Sequence, residues 1–159
     1  MIYVGFSTPN SFKIFSFLTK LWMRTNYSHV YLRFYDEYTS KWIILEASHG
    51  DVHLVEWNNW LLKNNPLDET QYDLDQKHRR EVIRFAIDHL QKPYSMANIA
   101  GIVFYSLFGK RVFRDGPKAF ICSELIALAL DNRITLTKPL DLVTPKDLHH
   151  AIFGAKNVK

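Results

Sequence analysis

"SHVYLRFYDEYTSKWIILEASHGDVHLVEW", residues 28–57, alternates apolar and polar side chains through most of its length. Val30, Leu32 and Phe34 point one way, and His29, Tyr31, Arg33 and Tyr35 the other, which is the period-2 signature of a half-buried strand. The polar run 36–40 is a loop, residues 41–48 form a partner strand, and 51–57 form a third after Gly50. Three successive strands with short connections make an antiparallel meander. Matching the apolar faces sets Leu32 opposite Ile43 and Val30 opposite Leu45. The same register sets His29 opposite Glu46, where a carboxylate–imidazole hydrogen bond is within reach. A slip of one residue would turn Glu46 to the other face.

Upstream, residues 2–6 read as a short strand ended by the turn residues 7–11. Asn10 or Ser11 then caps a helix with Phe12, Phe15, Leu18 and Trp22 at helical spacing. The second half is mostly helical. Residues 75–90 are amphipathic, with Val82, Phe85, Ala86 and Leu90 on one side, and Pro93 stops them. Residues 94–109 are apolar nearly all round, which predicts a packed core helix ended by Gly109. Lys110, Arg111, Arg114 and Lys118 lie in a basic loop. The next helix begins near Cys122 and carries Ile121, Leu125, Leu128 and Ala129 along one stripe. Thr144, Pro145 and Asp147 form a capping-box start for the last helix. The layout is α+β, a small antiparallel sheet packed with helices, in one domain over 1–159.

Composition narrows the function classes. The 159 residues are 47% hydrophobic, too apolar for a disordered chain. Twenty Lys and Arg against 16 Asp and Glu leave a mild excess of +4, which permits an anionic partner without arguing for one. No recognised nucleic-acid motif is present, so no nucleic acid is expected. A lone cysteine forms no internal disulfide. The N-terminal stretch lacks the regions of a signal peptide, and the longest apolar run is too short to span a bilayer. A cytoplasmic location is expected.

Cys122 then carries the main question. A free cysteine is commonly a small core residue. At a helix start, however, the aligned peptide dipoles favour a thiolate, and the first-turn amides can cradle an oxyanion. A nucleophilic thiol also needs an imidazole and a group to orient it. His29, at a strand start and off the core face, has the best context. His78 and His89 read as solvated on the 75–90 helix, and His149 and His150 as surface. His49, Asp51 and His53 share one strand face and raise a metal site, but nothing supplies a further ligand, and a half-solvated strand explains them as well. No cofactor is expected. Glu46 is the orienting candidate, against the plainer reading of an ordinary cross-strand charge pair.

In order along the chain, "YSHVYL", "WIILEASHGDV", "KPYS", "FICSEL" and "VTPKDL" resemble the circularly permuted papain-like proteins of the NlpC superfamily, the YiiX/YaeF-like amidases. Lecithin retinol acyltransferase-like enzymes share the permuted order, with the His strand first and the Cys helix last. The resemblance covers most of the chain and implies a permuted papain-like fold. It implies Cys122 as nucleophile, His29 as base, Glu46 as third member and Tyr94 beside the oxyanion. The implied activity is a thiol hydrolase of amidase or peptidase type, acting through an acyl-enzyme on a peptide, a peptidoglycan fragment or a lipid. Acyl transfer or lipid-ester cleavage is the second class. There the apolar 97–108 stretch and the basic loop would give peripheral membrane contact, although a core helix and a solvated loop explain both more simply. A binding module with a vestigial site is the third.

Overall fold

The structure is a computed structural model and describes residues 1–48, 50–72, 74–110, 119–130 and 133–154. Five strands form one antiparallel sheet: β1 (Ile2–Pro9), β2 (His29–Asp36), β3 (Lys41–Ser48), β4 (Asp51–Glu56) and β5 (Asn64–Tyr72), in the order β4-β3-β2-β1-β5. The expected meander is there, and β5 extends the sheet on the far side of β1. Its sequence, "NNPLDETQY", carries no alternation that announces a strand. It is an edge strand, where Pro66 is tolerated opposite Ser7 beside a register shift in β1.

The β2–β3 register differs from the expectation by two residues. Leu32 pairs with Leu45 and Phe34 with Ile43. Apolar alternation cannot distinguish registers two residues apart, because both keep every side chain on its face. The turn decides. Asp36 accepts from the backbone N–H groups of Tyr38 and Thr39 and from the Thr39 hydroxyl, and Ser40 takes a left-handed φ of 55°. That four-residue turn fixes Asp36 opposite Lys41.

One sheet face builds the main core from Val4, Phe6, Val30, Leu32, Leu45 and Ala47. Three helices cover it: α3 (Gln76–Asp88) through Val82 and Ala86, α5 (Cys122–Ala129) through Leu125 and Ile126, and α6 (Pro145–Phe153) through Leu148 and Ile152. The capping box of α6 is present, with the Thr144 side chain bonded to the Asp147 amide and Asp147 to the Thr144 amide. The other face carries a smaller cluster of Tyr31, Ile44 and Trp60, closed by the short helix α2 (Trp57–Leu61).

Two helices depart from expectation. α1 (Ile14–Met23) starts later than Asn10 or Ser11, with Lys13 at the cap position and no side-chain cap. Asn10 is tied elsewhere, its amide donating to the Leu61 carbonyl. Phe12, Phe15 and Leu18 are exposed rather than core-facing. α4 (Met96–Phe108) ends at Gly109 in the left-handed conformation as anticipated. It is no core helix, however: Asn98 and Ile102 are buried, while Tyr105 and Phe108 are exposed. Of the basic loop, Lys110 is described and exposed, and 111–118 lie outside the described residues.

Candidate active site

The site forms where β2 begins, β3 ends and α5 starts. Cys122 is the first residue of α5, with Ile121 as an extended cap residue, so the helix's first-turn amides gather around it. The helix behind it is rigidly held. Leu125 and Ile126 are fully buried, and the Ser123 hydroxyl donates to the Val143 carbonyl at 2.6 Å.

His29 Nε2 bonds Glu46 Oε2 at 2.7 Å. Ser48, not Glu46, follows the register opposite His29. The two side chains therefore meet across a diagonal, within reach because a two-residue shift keeps them on one face. Cys122 is the other neighbour of this ring, close enough to act on it by charge and by hydrogen bonding. With Nε2 on Glu46, Nδ1 is the nitrogen left for the sulfur. Burial works against charge on this ring. The Cys122 sulfur and the Glu46 carboxylate outweigh it and lift the His29 pKa to about 10.

Glu46 is buried, and four donors converge on it. Oε2 also accepts from the Trp60 indole at 2.8 Å, and Oε1 from the Ser48 hydroxyl at 2.8 Å and from His53 Nε2 at 3.1 Å. Burial alone would raise the carboxyl pKa. The His29 charge and the hydrogen bonds of His29, His53 and Trp60 overcome it and hold the group far below the usual carboxylate range. His53 Nδ1 lies 3.0 Å from Asp51 Oδ1, so both its nitrogens face carboxylates. Only the doubly protonated ring satisfies both, and its pKa is raised, first by the Glu46 hydrogen bond.

Tyr94 reaches the site through backbone pairing. The 91–95 segment is stitched on one side to β4, with Tyr94 N–H donating to the Gly50 carbonyl and Val52 N–H to that of Lys92. On the other side, Ser95 N–H donates to the Phe120 carbonyl and Phe120 N–H to that of Pro93. Burial, then the neighbouring Cys122 and Glu46, push the Tyr94 phenol well above its ordinary pKa. It stays a neutral O–H donor.

Cys122, His29, Glu46 and Tyr94 all line one pocket of about 320 Å³. The sequence reading missed Trp60, Ser48 and the role of His53. Ser48 and His53 were legible as same-face neighbours of Glu46, but Trp60 was not, because nothing in "WNNWL" says which side of the sheet it crosses. His49 lies outside the described residues. Among the described residues no cluster of His, Cys, Asp and Glu is placed to hold a metal ion.

No family model and no curated protein matches this chain. A solved structure does match: the metalloprotein yiiX from Escherichia coli O157:H7, DUF1105, at 18% identity and a TM-score of 0.55. The match covers 94% of this chain and 91% of that one. At that identity the two share a fold, traced over nearly their whole lengths.

Proposed function

We propose that this protein is a thiol hydrolase of the permuted papain-like, YiiX-like type, cleaving an amide or related acyl bond through a thioester on Cys122. One observation carries the reading: His29 bridges Glu46 and Cys122 at the head of a buried helix, inside a pocket. The sulfur attacks the substrate carbonyl, and the negative charge that develops on oxygen meets the first-turn amides of α5 and the Tyr94 hydroxyl. The imidazolium gives its proton to the leaving amine or alcohol as the carbonyl–heteroatom bond breaks. In the second half His29 takes a proton from water, which attacks the thioester. The acid leaves and the thiol is restored. Glu46 fixes the ring through Nε2, keeping the Cys122-facing nitrogen in place for both transfers.

The metal of the yiiX protein does not carry over to this site. The two Glu46 oxygens accept from two donors each, and both His53 nitrogens engage carboxylates. A cation there would have to displace the donors that hold the carboxylate ionised. No step is assigned to a metal.

A second reading, cleavage or transfer of a lipid acyl group, is favoured by the walls of the pocket. Phe15 and Trp22 of α1 and Ile99 and Ile102 of α4 line it together with Cys122. One experiment separates the readings. The intact protein is incubated with acyl p-nitrophenyl esters of rising chain length and with N-acyl peptides, and Cys122 is examined by mass spectrometry. An acyl adduct on Cys122, abolished in Cys122→Ala and slowed at least ~100-fold in His29→Ala, is expected. No adduct with any substrate overturns the hydrolase reading. Rates that rise with chain length favour a lipid substrate, and rates highest on the peptides favour an amidase.

A further inference from the structure

α1 is turned inside out. At about 3.6 residues per turn, Ile14, Phe15, Phe17, Leu18, Leu21 and Trp22 share one side of the helix, with Ser16, Thr19, Lys20 and Met23 on the other. A helix of a water-soluble domain buries its apolar side. This one packs its polar side inward: the Ser16 hydroxyl meets that of Ser28 at 2.6 Å, Lys20 Nζ donates to Thr8 Oγ1 at 3.0 Å, and Met23 is buried. The apolar side faces out, with Ile14 68% and Leu21 65% exposed, and Phe12 just before the helix 79% exposed. So continuous an apolar surface marks an interaction face.

Its charges indicate what covers it. Between residues 10 and 24 the charged side chains are Lys13, Lys20 and Arg24, and the first acidic residue of the chain is Asp36. Lys13 and Arg24 are exposed at the two ends of this apolar side, and its segment holds no acidic residue. That suits a bilayer with anionic headgroups, the aromatics sinking to the acyl boundary and these two basic side chains staying at headgroup level. A second copy of the same face would bring like charges together. The Cys122 pocket opens against this helix, lined by Phe15 and Trp22. α1 has 10 residues, about 15 Å of helix against a hydrocarbon core of about 30 Å, so it lies on the surface rather than spanning it.

We infer that α1 is an interfacial docking helix that seats this protein on an anionic lipid surface, with the mouth of the Cys122 pocket facing the bilayer. The docking itself does not depend on reaction at Cys122. The test uses the full chain and vesicles of diether phosphatidylcholine containing about one-third diether phosphatidylglycerol, which offer no ester to cleave. The wild-type protein should sediment with these vesicles at low salt, more weakly at high salt and more weakly with phosphatidylcholine alone. Ile14→Gln/Phe17→Gln/Leu21→Gln should lower the bound fraction at least about tenfold while keeping its thermal midpoint, since these side chains face solvent. Wild-type tryptophan emission should be quenched by brominated lipid, and Trp22→Phe should remove most of that quenching; this arm decides if the triple variant fails to fold. Wild-type protein left in the supernatant, unquenched tryptophan, or a folded triple variant that still binds overturns the inference. So does a self-associated wild type that the triple variant disperses without any vesicle binding, which would assign the face to a second copy.

Discussion

A carboxylate that is 4% exposed must be satisfied by donors, and Glu46 has four. An ion pair on a wet strand face, which alternation alone suggests, would contribute ~1 kcal/mol or less. The buried one is different in kind. Glu46→Gln keeps the shape but presents an NH2 group to atoms that already donate, so a donor faces a donor. We expect a loss of about 2–4 kcal/mol and a thermal midpoint lower by roughly 5–15 °C, measured by calorimetry. His29 loses the anion that supports its charge, so its pKa falls from about 10 toward the ordinary value, read by NMR titration. The alkaline limb of the turnover profile moves to lower pH with it, because the leaving group needs the His29 proton. An unchanged His29 pKa would mean that Cys122 alone holds the ring charged.

At the scale of elements, the site rests on how β1, β2 and α2 stack. Gly5 of β1 lies opposite Tyr31 of β2, and the Tyr31 ring crosses directly over it. A Cβ at position 5 would sit 2.1 Å from the ring carbon Cζ. The absence of a side chain there lets Tyr31 reach across β1 to Glu69 of β5, at 3.2 Å. The same ring packs on Trp60, centroids 4.5 Å apart, and Trp60 holds Glu46. Gly5→Ala should therefore displace Tyr31 and cost about 1–3 kcal/mol, with the thermal midpoint down roughly 3–10 °C. In a Tyr31→Ala background the same substitution should cost little, because the obstructing ring is gone. Equal costs in both backgrounds, measured as a double-mutant cycle, would show that Gly5 matters for another reason.

For the whole molecule, the linked groups give stability a direction with pH. Glu46 has a lowered carboxyl pKa in the fold, so its contribution is present above its ordinary 4.5 and is lost as pH falls below it. The His29 pKa is raised, so its contribution is full below 6.5 and is lost as pH climbs toward about 10. His53, raised as well, adds to the alkaline loss. The thermal midpoint should peak between about pH 4.5 and 6.5 and fall on both sides, and His29→Gln should flatten the alkaline slope. A midpoint that keeps rising from pH 7 to 9 would contradict the buried ion pair. The outward apolar side of α1 sets the other whole-molecule property: the main core is closed by α3, α5 and α6, while α1 and α4 stand over the pocket.

The amino-acid order by itself determined whatever depends on near neighbours. Alternation put His29 and Glu46 on one face of the hairpin, Thr144 and Asp147 spelled the cap of α6, and Cys122 stood at the start of an apolar helix. Only the tertiary structure decided the rest. The two-residue step in the β2–β3 register was set by Asp36 in the turn, since a period of two carries parity and nothing more. β5 became a strand because β1 offered it a free edge, against its own polar sequence. Trp60 and His53 found Glu46 through strand pairing and the crossing of α2, and Tyr94 was brought to Cys122 by backbone bonds to Gly50 and Phe120. The pattern in α1 was plain, yet its outward side was not. Amphipathic spacing says that a helix has two sides, and which one meets solvent depends on what the neighbours offer, here Ser28 and Thr8 to its polar side.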